Sequence, residues 1–121
     1  MDITIGTEVR DEYLSWEMEA GARKLVENIM LTEEGETVVI SADTSSDMRV
    51  VQATARAVYA AGAIPIVVLH PTLKEAFTEA PAPVAGAVAR ADVWIEFAVN
   101  MVFLSSAWRA ALEQGARDIC L

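Results

Sequence analysis

The chain lacks the features that would direct it to a secretory route or a membrane. Its single cysteine, Cys120, cannot form an internal disulfide, and a thiol within a strand-like apolar run is expected to be buried and unreactive. No uninterrupted apolar run reaches the roughly 18 residues of a membrane helix. The N-terminus also lacks the basic head of a signal peptide. These absences predict a cytoplasmic protein that makes no membrane contact.

Basic residues are scarce as well. Nine lysines and arginines stand against eighteen aspartates and glutamates, which gives a formal net charge of −9. Such a surface repels phosphate backbones, so nucleic acid is not expected as a partner. The apolar fraction of 54% excludes a disordered chain and is sufficient for one hydrophobic core. We therefore expect a single domain over residues 1–121.

Motifs of the common nucleotide and metal sites are missing. There is no GxGxxG and no GxxxxGK[ST], which excludes a dinucleotide fingerprint and a P-loop. With His70 as the only histidine, a Ser-His-Asp triad and an HExxH zinc motif are not expected. From these absences we expect no complete catalytic, cofactor-binding or metal-binding set within this chain.

What the chain does contain is an alternation of helix-like and strand-like segments. Helices are predicted from the helical spacing of apolar residues or from a capping pattern at the first residues. They cover 11–31, 47–61, 72–78, 83–91 and 100–113. Runs typical of strands occupy 37–42, 64–69, 92–97 and 118–121. Ile3 and Ile5 are interpreted as a short edge strand or a loose arm. The alternation predicts an α/β fold, with an open, mostly parallel, doubly wound Rossmann-like sheet and helices on both faces.

Helical spacing also predicts which side chains face the core. They are Leu14, Met18, Ala22, Leu25, Val26 and Ile29 in the first helix, Val51, Ala55, Val58 and Tyr59 in the second, and Met101, Leu104, Trp108 and Leu112 in the last. Trp16 and Trp94 are expected in the core or an interface. The apolar stretch from Met101 to Trp108 is a candidate surface for self-association.

Candidate site residues follow from the fold, because ligands of open parallel sheets bind at the carboxyl ends of the strands. The rule selects three short segments, which contain the candidate cleft residues Asp43, Thr44, Ser45, Ser46, His70, Glu96 and Asn100.

Each segment has an ordinary structural interpretation beside the functional one. The loop from Asp43 to Asp47 either caps the next helix or binds an anion at the helix N-terminus, and its two carboxylates favour capping. His70 is either a general base or a loop histidine with a structural hydrogen bond. Glu96 interrupts a strand that should be buried, so it either faces the cleft or an interface, or is edge-exposed or paired.

A family resemblance is carried by the segment from Gly35 to Val68, GETVVISADTSSDMRVVQATARAVYAAGAIPIVV. It resembles the N-terminal α/β domain of thermophilic metallo-aminopeptidases of the aminopeptidase T family, and is similar to the related 2,5-dihydroxypyridine 5,6-dioxygenases. The later segment ADVWIEFAVNMVFLSSAWRAALEQGARDICL resembles their following strand, helix and next strand.

The resemblance implies that residues 1–121 are the N-terminal part of a longer two-domain metalloenzyme and are inactive alone. It implies a substrate cleft, a homodimer, and a divalent metal (zinc, cobalt or iron) bound by the protein's own C-terminal domain. The peptidases use two metals to hydrolyse small peptides, and the dioxygenases use ferrous iron to open an aromatic ring. The alternative interpretation is a self-contained, non-catalytic domain that binds a small molecule or a partner protein.

Overall fold

The computed structural model describes residues 11–121, with side chains described from residue 15 onward. The interpretation of Ile3 and Ile5 therefore lies outside the described residues. The elements are α1 (Asp11–Arg23) with a π-helical continuation (Lys24–Ile29), β1 (Thr37–Asp43), α2 (Met48–Ala60), β2 (Ile64–His70), α3 (Ala82–Val88), β3 (Val93–Glu96), α4 (Ser106–Glu113) and β4 (Arg117–Cys120). No helix in this range is long and apolar enough to cross a membrane.

The four strands form one parallel sheet in the order β2-β1-β3-β4. Val38 and Ile40 of β1 pack with α1, its π-helical continuation and α2 on one face. Val39 and Trp94 pack with α3 and α4 on the other. Because β1 and β3 are covered on both faces, their sequences are nearly continuous apolar runs. The predicted doubly wound α/β fold is confirmed.

The end of the first helix differs from the prediction. Met30 N donates to Leu25 O at 2.9 Å, which is the five-residue spacing of a π-helix. The wider turn changes which residues meet the sheet. Ile29, predicted to be buried, is 60% exposed, and Met30 is buried in its place.

The segment after β2 is a loop, so the helix predicted over 72–78 is wrong. Two of its backbone groups bond to the segment after β3. Phe77 N donates to Met101 O at 2.7 Å, and the Asn100 side chain donates to Leu73 O. Phe77 also has a φ of 60°, outside the helical range. A contact distant in sequence thus replaces the local capping pattern.

The last helix starts later than predicted, at Ser106 instead of Asn100. The Ser105 hydroxyl accepts from Trp108 N at 3.3 Å and caps it. Ala107 and Ala111 face the core, while Leu104 and Leu112, predicted to be buried, are exposed. The small alanines let α4 approach the sheet closely.

Two aromatic residues that were predicted to be internal, Tyr59 and Trp16, are also exposed. Tyr59 is one position off the buried stripe formed by Val51 and Val58, and Trp16 lies on an exposed part of α1. Trp94 is buried as expected, and its indole N–H donates to Ser41 Oγ at 2.8 Å across the sheet.

Candidate functional site

The sheet order places a topological switch point at the carboxyl ends of β1 and β3. The chain leaves β1 toward β2 on one side and returns to β3 on the other, so the loops after the two strands diverge. Such a switch point is where open α/β sheets bind ligands. Three loops, 44–47, 71–81 and 97–105, surround this edge.

Asp43, the last residue of β1, is fully buried and ties the loops together. Its Oδ2 accepts from Val99 N at 2.8 Å and Asn100 N at 3.4 Å, and its Oδ1 accepts from Ser45 N at 2.9 Å. Burial alone would raise the pKa of Asp43, but the N–H groups of Ser45, Val99 and Asn100 outweigh it and hold that pKa below its usual value. Asp43 is therefore an ionised structural anchor whose oxygens are already occupied.

Ser46 completes this anchor. Its hydroxyl accepts from Asp43 N at 3.0 Å and lies 2.9 Å from Phe97 O, to which it can donate. The next residue, Asp47, accepts from Arg49 N at 3.0 Å as the N-cap of α2. These bonds support the capping interpretation of the 43–47 loop, since its carboxylates already hold N–H groups.

A cluster of hydroxyl groups remains accessible at the same edge. Ser45 Oγ lies 2.7 Å from Thr72 Oγ1, and Thr44 Oγ1 lies 3.3 Å from the same atom. Thr44 and Ser45 are exposed, and Thr72 is half-buried. Hydroxyls both donate and accept, so this hydroxyl cluster (Thr44, Ser45 and Thr72) can bind the polar groups of a small molecule. Thr72 was predicted as a helix cap, and its place here depends on the pairing of β1 with β2.

His70 and Asn100 border the cluster. His70 Nδ1 lies 2.7 Å from Pro71 O, so Nδ1 carries the hydrogen and Nε2 is the acceptor in the neutral ring. Nε2 is buried and has no hydrogen-bond partner among the described residues. The ring therefore has a structural hydrogen bond at Nδ1 and a second nitrogen that is buried without a partner among the described residues.

Glu96 is the last residue of β3, and its side chain is buried instead of opening onto this edge. It is buried in β3, between β1 and β4, so the interpretation as an edge-exposed residue is wrong. Both of its carboxylate oxygens lie 3.2 Å from Val102 N. Burial raises the pKa of Glu96, and the negative charge of Asp118 adds to this rise against the opposing effects of Val102, Cys120 and His70.

Two residues of β4 share this buried acidic environment. Asp118 accepts from the Trp108 indole N–H at 2.8 Å, and burial raises its pKa. Cys120 lies 3.5 Å from Glu96 Oε1, and burial together with the two carboxylates raises the pKa of its thiol to about 12. The thiol is half-buried rather than fully buried, and it is protonated at neutral pH.

Metal binding can be tested directly on this geometry. Among residues 11–121 no group of three His, Cys, Asp or Glu side chains is arranged to hold a metal ion. The nearest acid to the switch point, Asp43, already accepts several N–H donors, so its oxygens are not free to coordinate. The described residues do not fit the divalent metal that the family resemblance implies.

Comparison with known proteins gives one structural likeness. No family model matches the chain, and no curated protein matches it. The structure is similar to that of 2,5-dihydroxypyridine dioxygenase from Pseudomonas putida KT2440, with a TM-score of 0.69 and 18% sequence identity. The match covers 94% of this chain and 35% of that one, so this chain spans about a third of the dioxygenase. At this identity the likeness shows a shared fold.

Proposed function

We propose that this chain is the α/β part of a larger metalloenzyme of the dihydroxypyridine dioxygenase type, in which it forms one wall of the substrate cleft. The observation that carries the proposal is the structural likeness, which extends over nearly the whole of this chain and a third of the dioxygenase. The resemblance of the segment from Gly35 to Val68 to the same enzymes supports it independently. The metal ion then belongs to a further domain of the same protein, because no described group of side chains fits one.

In this proposal the hydroxyl cluster is the part of the wall that meets the substrate. Its members are accessible, they lie at the switch point, and they match a small polar aromatic ring by offering both donors and acceptors. Asp43 fixes the geometry of the wall without contacting the substrate, since its oxygens are bonded to backbone N–H groups.

A metallo-aminopeptidase is the second candidate function. It is favoured by the GETVVISAD strand and the AGAIPIVV entry to β2, which resemble that family as well. A small peptide would then be the substrate, and the same hydroxyl cluster would bind its polar backbone. Both candidates imply a homodimer and inactivity of residues 1–121 alone.

The test uses protein expressed from the complete coding region. After anaerobic loading with ferrous iron, we expect it to consume 2,5-dihydroxypyridine and O2 in equal amounts, because both oxygen atoms enter the ring-opened product. A parallel sample with zinc or cobalt is assayed on an aminoacyl p-nitroanilide. Hydrolysis there without oxygen uptake would favour the peptidase, and inactivity in both assays would favour a non-catalytic binding domain.

A further inference from the structure

Among the described residues, strand β2 forms one edge of the sheet, and its outer surface is apolar. Ile64, Ile66, Val67 and Leu69 are between 38% and 53% exposed. Residues 57–73 contain no Asp, Glu, Lys or Arg, although the chain has a net charge of −9. Edge strands are normally protected by charged side chains, bulges or short length, and β2 has a continuous register of seven residues with β1.

The hydrogen bonds between β2 and β1 show which residues of β2 point their backbone N–H and C=O groups toward β1. Ile64 N donates to Glu36 O at 2.8 Å, and His70 O accepts from Thr44 N at 3.0 Å, so the even-numbered residues face β1. By alternation, Pro65, Val67 and Leu69 direct their backbone groups away from the sheet. Pro65 is thus placed where its missing N–H costs no bond within the sheet.

The outward groups are complementary to those of a second copy in one register. A two-fold dimer that joins edge strands pairs them antiparallel, because a parallel pair makes non-equivalent bonds on its two strands. With Val67 opposite Val67 of the second copy, each Val67 N–H meets a Val67 carbonyl. Each Leu69 N–H then meets the Pro65 carbonyl of the other copy. Both outward N–H groups of β2, those of Val67 and Leu69, find an acceptor, whereas the Leu69 carbonyl opposite Pro65 receives no N–H and is left to solvent.

The side chains suit the same register. Ile66 lies opposite Val68 of the second copy, and Pro65 opposite Leu69, so apolar groups face each other on both sides of the junction. Two copies that both carry a net charge of −9 repel each other. Strand β2 has no charged side chain, so two copies can meet there without bringing like charges together. The opposite edge, β4, has Arg117 and Asp118 within four residues. We infer that β2 is a homodimerisation edge that joins two sheets into one continuous antiparallel junction centred on Val67.

This inference does not depend on the reaction catalysed, and it places self-association away from the Met101–Trp108 stretch. There Phe103 already packs against Phe77 and Trp108 within the chain.

The first test compares one lysine variant in β2 with one lysine variant in α4 by analytical ultracentrifugation over a concentration series. Val67 is 38% exposed and Leu112, on α4, is 39% exposed, so the substitutions Val67→Lys and Leu112→Lys are matched in exposure and charge. We expect the parent protein and Leu112→Lys to be dimers, and Val67→Lys to sediment as a monomer with an unchanged circular dichroism spectrum. A monomeric parent protein, or a dimer retained in Val67→Lys, would overturn the inference.

The second test reads the register in a Cys120→Ser background. Val67→Cys places two Cα atoms about 5.5 Å apart across the two-fold axis, which allows a disulfide. Leu69→Cys places its two copies about 13 Å apart, beyond disulfide reach. We expect mild oxidation to cross-link the first variant and not the second. Equal cross-linking of both, or cross-linking of Leu69→Cys alone, would contradict the register.

Discussion

Replacing Asp43 by asparagine tests whether this buried carboxylate holds the loops at the switch point together. Asparagine has the same shape but one oxygen, so an NH2 group must replace either Oδ1 or Oδ2. Oδ2 faces two backbone N–H groups, of Val99 and Asn100, whereas Oδ1 faces Ser45 N and the Ser46 hydroxyl, which can turn and accept. We therefore expect the amide nitrogen at the Oδ1 position, opposed to the N–H of Ser45.

The size of the effect follows from these bonds. A hydrogen bond to a charged group contributes about 1.5–3 kcal/mol, and a buried donor left without a partner costs about 1–3 kcal/mol. In Asp43→Asn the remaining bonds have a neutral acceptor in place of a charged one, and Ser45 N is left unpaired. We therefore expect a loss of about 2–4 kcal/mol in the free energy of unfolding. In urea this lowers the midpoint by about 1–2 M for a domain of this size.

The assay is urea unfolding followed by tryptophan fluorescence, with Asp47→Asn as the matched control. Asp47 is an exposed helix cap four residues away that also pairs with Arg49. Asparagine caps helices as well as aspartate does, and an exposed ion pair adds little stability, so the midpoint of this control should move far less. Because the pKa of Asp43 is lowered in the folded state, its stabilisation is complete above the usual value of 3.8 and is lost as the pH falls through the folded value. The free energy of unfolding of Asp43→Asn should therefore fall less steeply at acid pH than that of the parent protein. Equal midpoints for the two variants would refute the anchoring role.

Three further predictions follow from the site. In the complete enzyme, Ser45→Ala and Thr72→Val should raise KM several-fold with little change in kcat, whereas Ser106→Ala, on α4, should change neither; steady-state kinetics measures this. Because the pKa of Glu96 is raised by burial, stability should fall as the pH rises from the usual value of 4.5 toward the folded value. Glu96→Gln should reduce this fall in urea midpoints measured against pH and leave the part that comes from Asp118, whose pKa burial also raises. The Cys120 thiol, with a pKa of about 12, should react slowly with iodoacetamide at pH 8 and become fast in urea; fast labelling of the folded protein would contradict its protonated state.

Local patterns were sufficient to predict most of the fold. The β-branched run of β1, the cap at Asp47 and the alternation of helices with strands are properties of short segments, and each prediction is confirmed. These features depend on periodicity and on turn chemistry, which act within a few residues of each other.

The errors arose where a distant contact outweighed a local preference. The 72–78 segment has a capping box, yet its carbonyl and N–H groups bond to the 97–105 segment. The last helix was predicted from Asn100, but Asp43 binds the N–H groups of Val99 and Asn100 across 56 and 57 residues. No periodicity in the sequence encodes that bond.

The candidate site was predicted in part. The switch-point rule selected the loops after β1 and β2 as candidates, and the structure places Thr44 and Ser45 beside Thr72 there. Thr72 lies in the segment that the rule selected after β2, but its contact with Ser45 was not predicted because it depends on the register of β1 with β2. Glu96 was selected by its place in the chain, but alternation within β3 directs it into the interior, toward Cys120.

The most direct test of the proposed metalloenzyme is a native mass spectrum of the protein purified from its natural source. Our account predicts a polypeptide several times heavier than the 13.1 kDa of this chain, carrying a stoichiometric divalent metal that is lost on denaturation. A polypeptide of 13.1 kDa without metal would contradict it and would leave the non-catalytic binding domain as the better account.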